Sequence, residues 1–322
     1  SFPTRRSSDL EFDADVNVIE VGLGGRLDAT NIVSPAVSVL TGVALDHQAI
    51  LGPDLASIAV EKAGIARPGV PCVIGCSGEP EGVPLLLRAA HARGAVTSVI
   101  SDQDVAAVPA VGLRGAHQRR NAACALAAFE LLRRAPSSGL APMTDPQARE
   151  AIVAGLANVV HPGRMERVAT RPAVWLDGAH NPAGMRALAD ALLELPAPRV
   201  ALVAASADKD LLGLMRALTG RVEHVIASAY AQERAAAPEQ LAEACRRAGL
   251  AVTVCADEGA ALAQARQRAG ADGTVIIAGS LYWVGQWRPQ FVSAPVDPLL
   301  VSDPHRHAPI GISPPDRVRS GS

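Results

Sequence analysis

From residue 173 onward the sequence keeps one rhythm of short apolar runs, turns and amphipathic stretches. Strands are expected at Ala173–Leu176, Val200–Val203, Val222–Ala227, Ala251–Val254 and Thr274–Ala278, with helices near 182–194, 210–219, 238–248 and 258–269 between them. Strand–helix alternation with short links specifies a parallel sheet covered by helices on both faces. In such open α/β sheets, ligands bind beyond the carboxyl ends of the strands. That rule decides where chemistry is sought.

Upstream the pattern is less regular but of the same class. Val16–Val21 is a β-branched run stopped by Gly22 and suits a buried strand; Ala36–Thr41, Val70–Ile74 and Val96–Ile100 repeat it. Asp54 can cap a helix running to about Ala63, Asn121–Arg134 is a second helix, and one from Gln147 to Ala157 follows the Pro/Ser/Gly-rich loop Ala135–Pro146. His161-Pro162-Gly163 then breaks the chain. The division expected is a leader foreign in pattern at 1–10, one α/β domain at 11–157, a second at 158–291, and a tail rich in Pro, Ser, His and Arg at 292–322.

Composition narrows the function classes. Apolar residues are 49% and charged residues 19% of 322, enough for two buried cores. A net charge of −2 gives no broad field for nucleic acid or an anionic membrane. No apolar run approaches the ~20 residues of a membrane span. The five cysteines form no CxxC pair and no zinc spacing, as expected of thiols in a reducing cytosol. A cytoplasmic protein is expected.

Several charged residues sit at strand ends. Glu20 closes the VNVIEV run just before Gly22-Leu23-Gly24-Gly25-Arg26-Leu27-Asp28; a carboxylate in a buried strand needs a metal, a ligand or an ion-pair partner. Asp46-His47 follows the next strand, and His47 alone could be a ligand or an ordinary hydrogen-bonding residue. Lys62 shares the helix stripe of Leu55, Ile58 and Ala59, where it must snorkel, pair or lose its charge. It and Lys209 are the only lysines among thirty basic residues. In Leu176-Asp177-Gly178-Ala179-His180-Asn181-Pro182, Asn181 and Pro182 suit helix initiation, whereas Asp177 and His180 are not needed for it. Arg164, at the junction of the two regions, could clamp a phosphate or pair with a carboxylate.

Together EVGLGGRLDATNIV (20–33), LDH (45–47) with LG at 51–52, EKAGI (61–65), HQRRNA (117–122), HPGRMERV (161–168), LDGAHNP (176–182) and GSLYWVG (279–285) resemble the folylpolyglutamate/dihydrofolate synthase branch of the Mur ligase superfamily. The likeness runs from about residue 11 to 290. It implies an α/β Mur-ligase central ATP-binding domain, truncated before its phosphate loop, followed by a Rossmann-like Mur-ligase C-terminal domain. It implies a monomer that uses ATP and Mg²⁺ to join L-glutamate to dihydropteroate or folate through an acyl phosphate. Glu20 and His47 would be metal ligands, and Lys62 would carry a carbamate formed with CO₂. Asn121, Arg164 and Asp177 would contact ATP with catalytic His180 nearby, and Leu27, Asp28 and Ala29 would lie against the pterin.

One departure matters. The family's GxxGKGS/T phosphate loop precedes the Glu20 segment, and neither Lys62 nor Lys209 stands in such a loop. The expectation is that the chain begins after that loop, that one edge of the first sheet lies open, and that residues 1–322 alone have no ligase activity. Two other readings stay open: a ligase of the same architecture for another acid, such as a UDP-muramoyl peptide or a polyamino acid, or a non-catalytic nucleotide-binding protein without a phosphate loop.

Overall fold

The computed structural model describes residues 15–135 and 140–293. The expected leader at 1–10, most of the expected tail and the centre of the 135–146 loop lie outside the described residues.

Two sheets, parallel but for one edge strand, organise the described residues. The first has the order β1 (Ser38–Val43), β2 (Pro71–Gly78), β3 (Val96–Val99), all parallel. Parallel neighbours need crossovers. These are α1 (Gln48–Leu51) with α2 (Leu55–Ala63), then α3 (Gly82–Ala92). Ile58, Ala59 and Ala63 of α2 and Leu86 and Ala90 of α3 pack with Leu40, Cys72 and Ile74 on one face of this sheet. On the other face, Val73 and Ile100 meet Ala122, Ala123 and Cys124. These three lie on α5 (Ala116–Arg134), which follows α4 (Asp102–Ala107) and precedes α6 (Asp145–Asn158).

The second sheet has six strands. β4 (Glu166–Thr170) and β5 (Ala173–Leu176) form an antiparallel hairpin. β6 (Arg199–Val203), β7 (His224–Ala227), β8 (Val252–Val254) and β9 (Thr274–Ala278) continue it in parallel, in the order β4-β5-β9-β6-β7-β8. Alternation along β9 divides the core. Ile276 and Ala278 face α7 (Pro182–Leu192), α8 (Leu211–Leu218) and α9 (Pro238–Arg247), while Val275 and Ile277 face α10 (Glu258–Ala269) and α11 (Leu281–Trp287). Trp283 and Trp287 fill that second face edge to face, ring centroids 5.5 Å apart. The third tryptophan, Trp175, lies on the opposite face with the guanidinium of Arg114, from the loop before α5, 5.1 Å above its ring.

The expected parallel sheet of the second half is present, joined by the unforeseen edge strand β4. The crossover α3 is also unforeseen, because Gly82 and Pro84 hide its start. One expectation fails: Val16–Val21 forms no strand, and Val18 is 92% exposed. A β-branched run becomes a strand only with a ladder partner, and among the described residues β1 pairs with β2 alone. The helix expected from Asn121 begins at Ala116, after Gly115 in a left-handed conformation (φ 98°).

Candidate active site

The glycine-rich loop is clamped onto the helix that carries Lys62. Arg26 N–H donates to Glu61 O (2.9 Å), and the Arg26 guanidinium grips the Glu61 carboxylate. A Cβ on Gly25 would lie 2.8 Å from Lys62 O and 2.9 Å from Glu61 O, so the contact requires glycine. Within the loop, Asp28 accepts from the N–H groups of Gly22, Leu23 and Thr30 and from the Thr30 hydroxyl. Burial pushes its carboxyl up, but these bonds outweigh that and hold it below its ordinary value. Asp28 therefore shapes the loop, while Leu27 and Ala29 stay exposed beside it.

Beyond the carboxyl end of β1 stands the residue that gathers the site, Asp46. Its Oδ1 accepts from Lys209 Nζ (2.6 Å) and from the N–H of His47 (2.9 Å), and its Oδ2 accepts from Asn181 Nδ2 (2.8 Å). His180 Nε2 lies 3.7 Å from Oδ2, and His47 Nε2 3.8 Å from Oδ1. Burial would raise the Asp46 carboxyl, but Lys209 and Asn181 keep it below the usual range. Lys62 stands in the field of the same carboxylate. Burial lowers its amine below the ordinary lysine value, while the Asp46 charge pulls the other way. Burial likewise lowers His47, with Asp46 opposing and Lys209 and His180 reinforcing.

The second sheet contributes the turn after β5. Asp177 is buried and accepts from Met165 N–H and Ala179 N–H, both at 2.9 Å. Burial raises its carboxyl even so, despite those bonds and the nearby Arg164 and His117. Arg164 lies over Gly178, where a Cβ would stand 2.4 Å from Arg164 Nη1. His180 Nδ1 donates to Gly178 O (2.9 Å); since a carbonyl only accepts, Nδ1 carries the hydrogen and Nε2 faces Asp46. Asn181 caps α7 through Oδ1, which accepts from Gly184 N–H (2.8 Å), so the same amide starts the helix and crosses to Asp46. Asn121, on α5, accepts from the Ser77 hydroxyl and donates to Gln118.

The structure thus brings His47, Lys62 and His180 around Asp46, and sets Arg164 beside Asp177. It does not draw Glu20 in. That residue is exposed, because the run that carries it is no buried strand, and the cost of burying its charge does not arise. Among the described residues no group of three or more His, Cys, Asp or Glu is arranged to hold a metal ion. Three participants escape sequence reasoning. Asp46 enters the sequence reading only beside His47 and without a role of its own, Asn181 only as a helix cap, and His117 has a buried Nδ1 without a hydrogen-bond partner near Asp177 and Arg164. Lys209 gives one signal, its rarity.

Residues 163–281 match the model of the Mur ligase glutamate ligase domain. The dihydrofolate synthase/folylpolyglutamate synthase of Bacillus subtilis is 31% identical over 297 residues, which cover 85% of this chain and 67% of that protein. The chain belongs to the folylpolyglutamate/dihydrofolate synthase family. A Haloferax volcanii member, whose name joins folylpolyglutamate synthase to dihydropteroate synthase, is 36% identical over 88% of this chain; the chain spans only 35% of its length. Among solved members, Mycobacterium tuberculosis folylpolyglutamate synthase complexed with ADP and AMPPCP superimposes with a TM-score of 0.77 at 31% identity, covering 90% of this chain and 71% of that one. The fold is therefore the Mur-ligase α/β fold, with the family's glutamate ligase domain built on the six-stranded sheet.

Proposed function

We propose that the protein ligates L-glutamate to dihydropteroate, to a folate, or to both, coupled to cleavage of ATP to ADP and phosphate. The observation that carries this reading is the convergence on Asp46: loops from the carboxyl ends of both sheets meet there, with a depressed lysine and two histidines. An acid–amine ligase needs such a meeting, because nucleotide and acceptor must be held apart from water and against each other.

The chemistry balances in two steps. A substrate carboxylate oxygen attacks the γ-phosphorus, the bond to ADP breaks, and an acyl phosphate forms. The glutamate amine then attacks the acyl carbon, phosphate leaves, and the amine loses one proton. Arg164 offsets charge on the transferring group, with Asn121 and Asp177 as further nucleotide contacts and Leu27, Asp28 and Ala29 against the pterin. His180, with Nε2 free of the Gly178 bond, stands where it can hold a proton. Lys62, whose amine burial lowers below the ordinary lysine value, would in its neutral form add CO₂ with loss of one proton and so become an anionic carbamate. That carbamate and His47 would be the residues at hand to hold Mg²⁺, an ion that accepts oxygen donors and completes its shell with water, whereas Glu20 stays exposed and apart from them. When bound, Mg²⁺ supplies charge neutralisation at the phosphates. We place the protein in the cytoplasm as a monomer; among the described residues no helix is long and apolar enough to cross a membrane.

The 322 residues contain no GxxGKGS/T loop, so the polypeptide 1–322 alone is expected to leave ATP intact. The test is a fusion that places a family member's phosphate-loop segment before residue 15, assayed with ATP, Mg²⁺, glutamate and either dihydropteroate or a reduced folate. Product with either acceptor, abolished by Lys62→Ala, supports the reading. A folded fusion that yields no product with both acceptors sinks it in favour of another acid substrate.

A further inference from the structure

We propose that Lys209 is a positioning residue through which the glutamate ligase domain holds the 44–52 loop, and with it His47, in its site conformation. The inference deepens the ligase reading and rests on it for its meaning, though not for its test.

His47 is one of two non-glycine residues with a left-handed backbone among the described residues, at φ 52° and ψ 35°. That conformation is costly for a side chain with a Cβ and persists where neighbours enforce it. The enforcing group is the Asp46 carboxylate, whose Oδ1 accepts the His47 N–H at 2.9 Å. The same oxygen accepts Lys209 Nζ at 2.6 Å, and the other oxygen accepts Asn181 Nδ2 at 2.8 Å. Two of the three bonds that fix this carboxylate therefore come from the other sheet's domain.

Lys209 is built to make that reach. It lies in the turn between β6 and α8, where its N–H donates to Ser206 O and the next residue, Asp210, caps the helix through Gly213. Ser206 is itself pinned, by a bridge to Ala235 and a hydroxyl contact with Tyr230 at 2.7 Å. The turn is therefore fixed before the lysine leaves it. The lysine side chain is 9% and the Asp46 side chain 18% exposed, so this is a shielded ion pair closed by a charge-assisted hydrogen bond. Removing one partner strands the other charge. The loop then loses the anchor of Asp46 and His47 gains freedom to leave the left-handed region. When the two domains part, the same thing happens without mutation, so His47 takes its site conformation only when the domains meet.

The test is hydrogen–deuterium exchange on the protein 1–322, comparing wild type with Lys209→Ala, Asp46→Asn, the double variant and Lys209→Arg. Residues 44–52 are expected to exchange ~10- to 100-fold faster in both single variants, as the loss of one charged hydrogen bond implies. The double variant should be no faster than the singles, and Lys209→Arg should restore most of the protection. Unchanged exchange at 44–52 in Lys209→Ala overturns the proposal. So does a rise spread evenly over β1, β2 and β3, which would mean general destabilisation. Because no turnover is needed, a negative result here leaves the ligase reading standing, and a failed ligase assay with intact loop protection does the reverse.

Discussion

The guanidinium of Arg26 holds one carboxylate oxygen of Glu61 with two nitrogens, Nε at 2.9 Å and Nη2 at 2.8 Å, and so binds the glycine-rich loop to the residue preceding Lys62. The pair is partly exposed, at 48% and 21%, which limits its worth in water. Arg26→Ala is expected to cost under about 1 kcal/mol in urea unfolding, with the midpoint shifted and the slope unchanged. A loss near 3 kcal/mol would show that the loop is a keystone of the first core.

Gly178 matters for a different reason, the place of Arg164. A Cβ there would stand 2.2 Å from Leu281 Cδ2 and 2.4 Å from Arg164 Nη1. Both atoms end flexible side chains and Leu281 is 46% exposed, so Gly178→Ala is expected to cost under about 1 kcal/mol, the two side chains moving aside. In the loop-bearing fusion it should also raise the KM for ATP by displacing Arg164. Nucleotide titration and thermal unfolding of the same variant check both halves; an unaltered KM would release Arg164 from its assigned role.

Two aspartates should bend the pH dependence of stability in opposite directions. Asp177 has its folded value raised above 3.8 by burial, so its contribution is full below 3.8 and is lost as pH rises through the folded value. Asp28, held below 3.8 by its hydrogen bonds, contributes fully above 3.8 and loses that contribution as pH falls through its folded value. Asp177→Asn should therefore remove a decline on the alkaline side of 3.8, and Asp28→Asn a decline on the acid side. Unfolding free energies measured across the acid range for the three proteins will show whether the two differences carry opposite signs.

The two lysines should differ sharply toward amine-reactive reagents at neutral pH. Burial lowers the Lys62 amine below the ordinary lysine value, whereas Lys209 is held against Asp46 and shielded. Peptide mapping should find Lys62 modified first. Since the Asp46 charge raises the Lys62 value, Asp46→Asn should lower it further and speed labelling there. In ¹³CO₂-enriched buffer a carbamate carbonyl resonance is expected in wild type and not in Lys62→Ala.

Much of this was open to inspection in the residues themselves. The five parallel strands β5 to β9 follow from strand–helix alternation, since runs as short as Thr274–Ala278 between helical stretches suit buried strands, while the edge strand β4 does not follow from it. The half-buried, depressed Lys62 follows from its stripe on α2. The failures share one cause. Val16–Val21 has the composition of a strand, but a strand exists only through its neighbour, and composition does not name one. Asp46 and Lys209 are 163 positions apart, and local pattern carries no information about pairs that only tertiary packing brings together. Asn181 hides its second role behind the first, because capping a helix already accounts for an asparagine at that position.

All three tryptophans of the chain, Trp175, Trp283 and Trp287, belong to the six-stranded half. Ultraviolet emission from this protein is therefore a one-sided instrument. A denaturation curve recorded at tryptophan wavelengths follows the melting of β4–β9 and is blind to β1–β3, unless the loss of Arg114 from above the Trp175 ring dims or brightens that indole. A step in the emission that precedes the main transition would mark the first half pulling its guanidinium away while the second half still holds.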